Sequence, residues 1–217
     1  MRSWLYIPDI RNVGSIGTSE ADALVVDLGG AADPAAVGGW IVDAAREAVW
    51  VRLDATERGR QALRVVVSPA LTGVCVAAES ASEIAALSAV IAEAEEAARL
   101  PVGRIAVVPR LATAAAVLQA AEIARAPRVA RLQLAEGPLA RQLLVEPGDD
   151  ERELLWARSM VVMAGAAARL APPIAAACPP GTDCEPSGVV LRRLGFRGRT
   201  CLDENQVRIA NKVFATP

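Results

Sequence analysis

Four side chains carry most of the chemistry this sequence can offer. They are Arg52 and Asp27, each closing a short apolar run, and Arg110 and Glu136, which flank a helix-like segment. An Arg at a strand end is suited to gripping a carboxylate through paired N–H donors, so Arg52 and Asp27 are the candidate catalytic pair. Arg52 either faces a pocket or pairs with Asp27 or Asp54. A lone carboxylate makes a poor metal site, so Asp27 is expected to partner an Arg or backbone N–H groups. The stretch Gly29-Gly30-Ala31 reads either as an anion-binding nest or as a plain turn.

What is missing restricts the chemistry as much. Without histidine there is no Ser-His-Asp triad, no Cys-His pair and no His-ligated metal. Lys212, the only lysine, falls about two turns into a helix predicted from Glu204, a poor position for a Schiff base. Cys75, Cys178, Cys184 and Cys201 form no C-x-x-C pair. They are expected as reduced structural thiols, with a redox pair of Cys178 and Cys184 as the alternative.

The elements that must position these groups are clearest over residues 104–143. An apolar run at 105–111, a helix at 113–125 without internal Gly or Pro, and a second run at 129–136 entered through Pro127 make a βαβ unit. Strands this apolar suit a parallel sheet covered by helices. Ligands in such sheets sit at the carboxyl ends of the strands, which here are Ala112 and the segment Glu136-Gly137-Pro138.

The rest of the chain repeats the alternation. Strands are predicted at 3–7, 23–28, 49–53, 73–77, 174–178 and 200–202, and helices at 35–47, 80–99, 153–170 and 187–194. An Arg-rich polar turn and an apolar run at 63–67 precede the fourth strand. About eight strands alternating with helices argue for a closed (β/α)8 barrel near the lower size limit of that fold. The 217 residues suit one domain, 1–217. With 53% apolar and 22% charged residues and a net charge of −2, nothing favours disorder, nucleic acid or an anionic membrane surface. No apolar run reaches the roughly 20 residues of a membrane span, and MRSWLYIPD is no signal peptide, so a cytoplasmic protein is expected.

In order and spacing, the segments RSWLYIPDIR, ADALVVDLGGA, VWVRLDA, PRLATAAAVLQAAEIA, RLQLAEGPLA and LRRLGFRGRTCLDENQVRIANKVFATP resemble the HpcH/HpaI aldolase and citrate lyase beta-subunit family. The resemblance implies a modified TIM barrel that makes or breaks a carbon–carbon bond beside a carboxylate, often on an acyl-CoA, with Mg²⁺. It also implies a homo-oligomer, with a paralogous subunit as a further partner. The family's metal is held by a Glu in an I-E-T-A segment and an Asp in a G-x-x-D-L segment, and an Arg in V-R-I-N binds the substrate carboxylate. Arg52 matches that Arg. The metal-binding Glu corresponds to Ala112, and the metal-binding Asp to Pro138. Of the acidic D-L-E-D segment only Asp27 remains, the L-P-K lysine is absent from Val76-Ala77-Ala78, and I-H-P reads Leu202-Asp203-Glu204. Relatives of this kind continue into helices that help cover the site, and a chain stopping at Pro217 is expected to leave the mouth less enclosed.

A hard cation needs anionic oxygens, and neither Ala112 nor Pro138 supplies one. The expectation is therefore no metal site and no retained Mg²⁺. Side chains alternate along a strand, which places Arg110 and Glu136 two residues deeper on the faces of Ala112 and Pro138. Either these two pair across adjacent strands, the guanidinium standing in for the cation beside Arg52, or one or both turn out to solvent. Two functions stay open: a divergent carbon–carbon lyase on a carboxylate or CoA-linked substrate, with any metal on Asp27 or Glu136, or a catalytically silent barrel, a pseudoenzyme binding a related ligand or subunit.

Overall fold

The computed structural model describes residues 1–12, 19–29, 33–44, 48–148 and 150–215. Eight parallel strands close on themselves in chain order: β1 (Ser3–Ile7), β2 (Ala23–Asp27), β3 (Val49–Leu53), β4 (Leu71–Ala77), β5 (Ala106–Leu111), β6 (Gln133–Leu134), β7 (Ile174–Ala175) and β8 (Gly198–Cys201), with β1 paired to β8. Around them lie α1 (Pro34–Asp43), α2 (Glu57–Val66), α3 (Ala81–Ala97), α4 (Ala114–Leu118), α5 (Ala120–Ala124), α6 (Glu136–Leu143), α7 (Leu155–Ala167), α8 (Glu185–Leu194) and α9 (Glu204–Val213). This is the (β/α)8 barrel expected from the alternation. No helix among the described residues is long and apolar enough to cross a membrane.

Local chemistry sets the helix starts. Thr56, Ser80, Thr113 and Asp203 each accept a hydrogen bond from a first-turn backbone N–H with their side-chain oxygen, supplying partners that the helix itself cannot. At Ser80 the Glu83 carboxylate also reaches back past the cap, accepting from Glu79 N–H at 3.0 Å.

Several boundaries differ from the sequence reading. The apolar run at 63–67 belongs to α2, whose buried positions Gly59, Ala62, Leu63 and Val66 follow helical spacing. The helix expected at 113–125 breaks at Gln119 into α4 and α5. The strand expected to reach Glu136 pairs only over Gln133 and Leu134, with one bridge from Val129 to Val107, and the chain then turns into α6. The helix expected at 153–170 begins after a 3-10 turn over Arg152–Leu154 and runs from Leu155 to Ala167.

Strand alternation sorts the side chains into two cores. Leu5, Leu24, Val51, Val74 and Val107 point outward into the layer between strands and helices. Trp4, Ala23, Val25, Trp50, Cys75, Val108 and Ile174 fill the barrel itself. Trp4 and Trp50 meet with centroids 4.9 Å apart and planes tilted by 53°, within the range aromatic pairs favour. Arg131 lies over the Trp4 ring at 5.6 Å and donates to the carbonyls of Pro172 and Met1, sealing that end. The two tryptophans fit because position 73 has no side chain: a Cβ there would sit 2.3 Å from the Trp50 ring and 2.6 Å from Ala106 O.

A buried ion pair fixes the βαβ unit around β5. Glu95, on α3 and fully buried, accepts from Ile105 N–H (2.6 Å), Gly103 N–H (2.9 Å) and both terminal nitrogens of Arg128 (3.0 and 2.8 Å). Burial alone would raise its pKa, but Arg128 and the two amides outweigh that and hold it below the ordinary carboxylate value.

Two outcomes follow for stability. Gly73→Val forces the Trp50 ring to move and is expected to lower unfolding free energy by roughly 1–3 kcal/mol in urea titrations. Glu95→Gln strands Arg128 and should lower it by roughly 3–5 kcal/mol. Because the folded pKa is depressed, the Glu95 contribution is present above the unfolded carboxylate pKa and lost as pH falls through the folded one. The variant should therefore lose less stability on acidification than the wild type, and parallel acid limbs would disprove that role.

Candidate active site at the barrel mouth

Above the tryptophan floor the barrel interior turns polar. The register places Asp27 beside Arg52 on adjacent strands and Arg110 beside Gln133. A cavity of about 260 Å³ opens here, walled by Trp4, Val25, Cys75 and Ala176 on its apolar side and by Tyr6, Arg52, Arg110, Gln133, Glu136 and Thr200 on its polar side. Pro138 also lines it, whereas Ala112 follows the end of β5 and precedes the cap of α4.

Arg52 both faces the cavity and pairs with Asp27. Its Nη1 lies 3.3 Å from Asp27 Oδ2 and donates to Tyr6 Oη at 3.0 Å, and its Cζ sits 5.5 Å from the Tyr6 ring centroid. Tyr6 donates its hydroxyl to Asp27 Oδ2, and Asp27 Oδ1 accepts from Gly29 N–H at 2.7 Å. Burial first, and the Asp27 carboxylate second, push the Tyr6 phenol up to about 12, so it stays a donor at neutral pH. Arg52 Nε is buried without a partner. Asp54 is not the partner of Arg52 among the described residues. Gly30 and Ala31, needed for the nest reading, lie outside the described residues.

Arg110 and Glu136 do not pair. Glu136 is the first residue of α6, not the end of a strand, so the alternation argument does not apply to it. Both its oxygens are held by Arg158 of α7, at 2.7 Å from Nε and 2.8 Å from Nη2, and the same Nη2 reaches Glu151 Oε2 at 2.7 Å. Arg110 faces the cavity, and among the described residues it has neither a hydrogen bond nor an ion-pair partner. Burial, then the nearby charge of Arg52, lower its pKa from the ordinary guanidinium value.

Cys75 lies between the two arginines on the cavity floor, and burial raises its thiol to about 12 despite them. Cys75 and Cys201 are free and buried, as expected of structural thiols. Cys178 and Cys184 instead form a disulfide, because the turn at 179–183 brings their Cα atoms to 6.0 Å; the reduced state expected for all four is corrected for this pair. Lys212 binds Glu185 at 2.7 Å on the surface, away from the cavity.

The sequence reading missed Tyr6, Gln133, Thr200 and Arg158. The first three occupy inward positions of β1, β6 and β8, a signal present in the alternation. Arg158 falls on the buried stripe of α7 with Val161 and Gly165, the one charge in that stripe. Glu136, Gly137, Ala176 and Ala177 also line an adjoining groove of about 670 Å³ that runs toward α8.

In fold, the protein is similar to RipC from Yersinia pestis (19% identity, 100% of this chain and 95% of that chain, TM-score 0.77). It is similar also to protein CitE from Mycobacterium tuberculosis, solved with magnesium and acetoacetate (21%, 99% and 90%, TM-score 0.77), and to a citrate lyase from Burkholderia xenovorans (14%, 100% and 77%, TM-score 0.86). No curated protein sequence matches the chain. The family model for HpcH/HpaI aldolase/citrate lyase matches residues 2–201, and the chain belongs to that family.

Proposed function

We propose that this barrel binds a small carboxylate at its arginine-lined mouth and does not run the metal-dependent lyase reaction associated with its family. One observation carries the reading: the carboxylates at the mouth are already answered by the protein's own donors, while cations face the cavity. Both oxygens of Asp27 and both of Glu136 are engaged, by Tyr6, Arg52 and Gly29 N–H in one case and by Arg158 in the other. Ala112 and Pro138 have no oxygen in their side chains, and no group of three His, Cys, Asp or Glu that could hold a metal occurs among the described residues. A divalent cation needs free anionic oxygens, so this donor set does not fit one.

The remaining charge favours an anion. Arg52 and Arg110 line the cavity and Asp27 offsets one of them, leaving an excess positive charge in a partly desolvated space where a carboxylate is held more strongly than in water. The structural neighbours from M. tuberculosis were solved with acetoacetate, pyruvate and oxaloacetate, which makes these acids suitable probes. The active-lyase alternative rests on family membership and requires a cation the mouth does not accommodate.

A thermal-shift series separates the two readings. Saturating pyruvate, acetoacetate or oxaloacetate, at about 100 times Kd, should stabilise the protein by about 2.7 kcal/mol, a rise in Tm of roughly 5–10 °C at this chain length. The rise should be the same in Mg²⁺ and in EDTA, with no carbon–carbon cleavage in either. Turnover that appears with Mg²⁺ and disappears in EDTA would overturn the proposal.

A further inference from the structure

Arg110 is the exception among the interior cations. Arg128 is held by Glu95, and Arg158 by Glu136 and Glu151. Arg131 donates to the carbonyls of Met1 and Pro172, and Arg199 to those of Ala176 and Cys184 and to Ser187 Oγ. Arg52 has Asp27 and Tyr6. Arg110 alone in this set faces a cavity with five N–H donors and no acceptor among the described residues. Removing a cation from water without supplying an acceptor is costly, and a position that keeps one inside a barrel is suited to an acceptor arriving with a ligand.

Its neighbour in register tells more about that ligand. Gln133 stands opposite Arg110 on β6 and donates from Nε2 to Thr200 Oγ1 at 2.6 Å. This fixes the roles left over. Two roles remain on side chains that line the same cavity: an acceptor, Gln133 Oε1, and donors, the Thr200 hydroxyl hydrogen and the second Nε2 hydrogen of Gln133. A ligand hydroxyl satisfies both, giving its hydrogen to Gln133 and accepting from Thr200, whereas a keto oxygen can only accept.

We infer that Arg110 is the anchor for the ligand carboxylate and that Gln133 with Thr200 reads a hydroxyl on the adjacent carbon, so that the mouth selects a 2-hydroxy acid over the corresponding 2-oxo acid. The inference rests on the carboxylate-binding reading above and assigns the subsite within it. Neighbouring strands lie about 4.8 Å apart, a spacing that lets one small molecule touch Arg110 and Gln133 together. A site whose polar groups expect a hydroxyl discriminates against an analogue lacking it, because those groups are then left unpaired.

The test uses lactate, pyruvate and propionate as matched probes, with dissociation constants from ligand-observed NMR titration. The wild type should bind lactate at least tenfold more tightly than pyruvate or propionate. Arg110→Met should weaken all three at least tenfold, with Arg110→Lys between, since lysine keeps the charge and loses the planar fork. Gln133→Leu should bring lactate down to the level of pyruvate while leaving pyruvate within threefold. In the ligand-free protein Arg110→Met should also raise Tm, by about 2–4 °C, since it removes an unanswered cation beside Arg52; a cation serving only the fold would lower Tm on removal.

Unchanged binding in Arg110→Met, or a lowered Tm, would overturn the assignment of Arg110 and leave carboxylate binding at the mouth standing. Pyruvate bound as tightly as lactate would overturn the hydroxyl subsite. No binding of any probe by the wild type would remove the carboxylate-binding reading together with this inference.

Discussion

A closed eight-stranded barrel leaves an interior only wide enough for side chains, so every inward position has to be reconciled with the positions facing it. Here that constraint is met by two tryptophans. Trp4 and Trp50 occupy the lower interior together, which is possible only because Gly73 withdraws and Arg131 covers the end beyond them. With the lower half filled by aromatic bulk, the residues above it need not fill space. They can be long, polar and directed at a shared cavity, and Tyr6, Arg52, Arg110 and Gln133 are all of that kind.

The same molecule treats its charges in two ways. Glu95 with Arg128, and Arg158 with Glu136 and Glu151, are closed groups whose hydrogen bonds point at one another and at nearby backbone. Such groups hold elements in register and offer nothing to a ligand. The mouth is arranged otherwise, since Asp27 answers Arg52 while Arg110 has no ion-pair partner among the described residues. Proteins retain arrangements of this sort where binding benefits from local instability.

The strands and the barrel were legible in the sequence because their signal is repeated: short apolar runs, alternating inward and outward residues, and capped helices between them. Arg52 and Asp27 were legible as a pair because both stand at the carboxyl ends of neighbouring strands. Glu136 was not, although a Glu followed two residues later by Pro138 is a first-turn helix pattern. Read as a strand, it faced Arg110; as the first residue of α6 it faces α7. Arg158 was hidden for another reason. A charge on a helix ordinarily belongs to the solvent face, and which carboxylate it answers depends on how α6 and α7 lie side by side, a relation between elements that local pattern does not carry. The run at 63–67 shows the ambiguity of short apolar segments, which periodicity alone cannot assign to strand or helix.

Ala176 and Ala177 line both the cavity and the groove beside it. On that side the boundary between the two spaces is formed by two small apolar side chains, whereas Glu136, held by Arg158, forms it on the other. The charged lining of the cavity and its small apolar lining consequently come from different strands. Side-chain volume on the β7 side can therefore change the size of the space at the mouth without altering the arginines that line it.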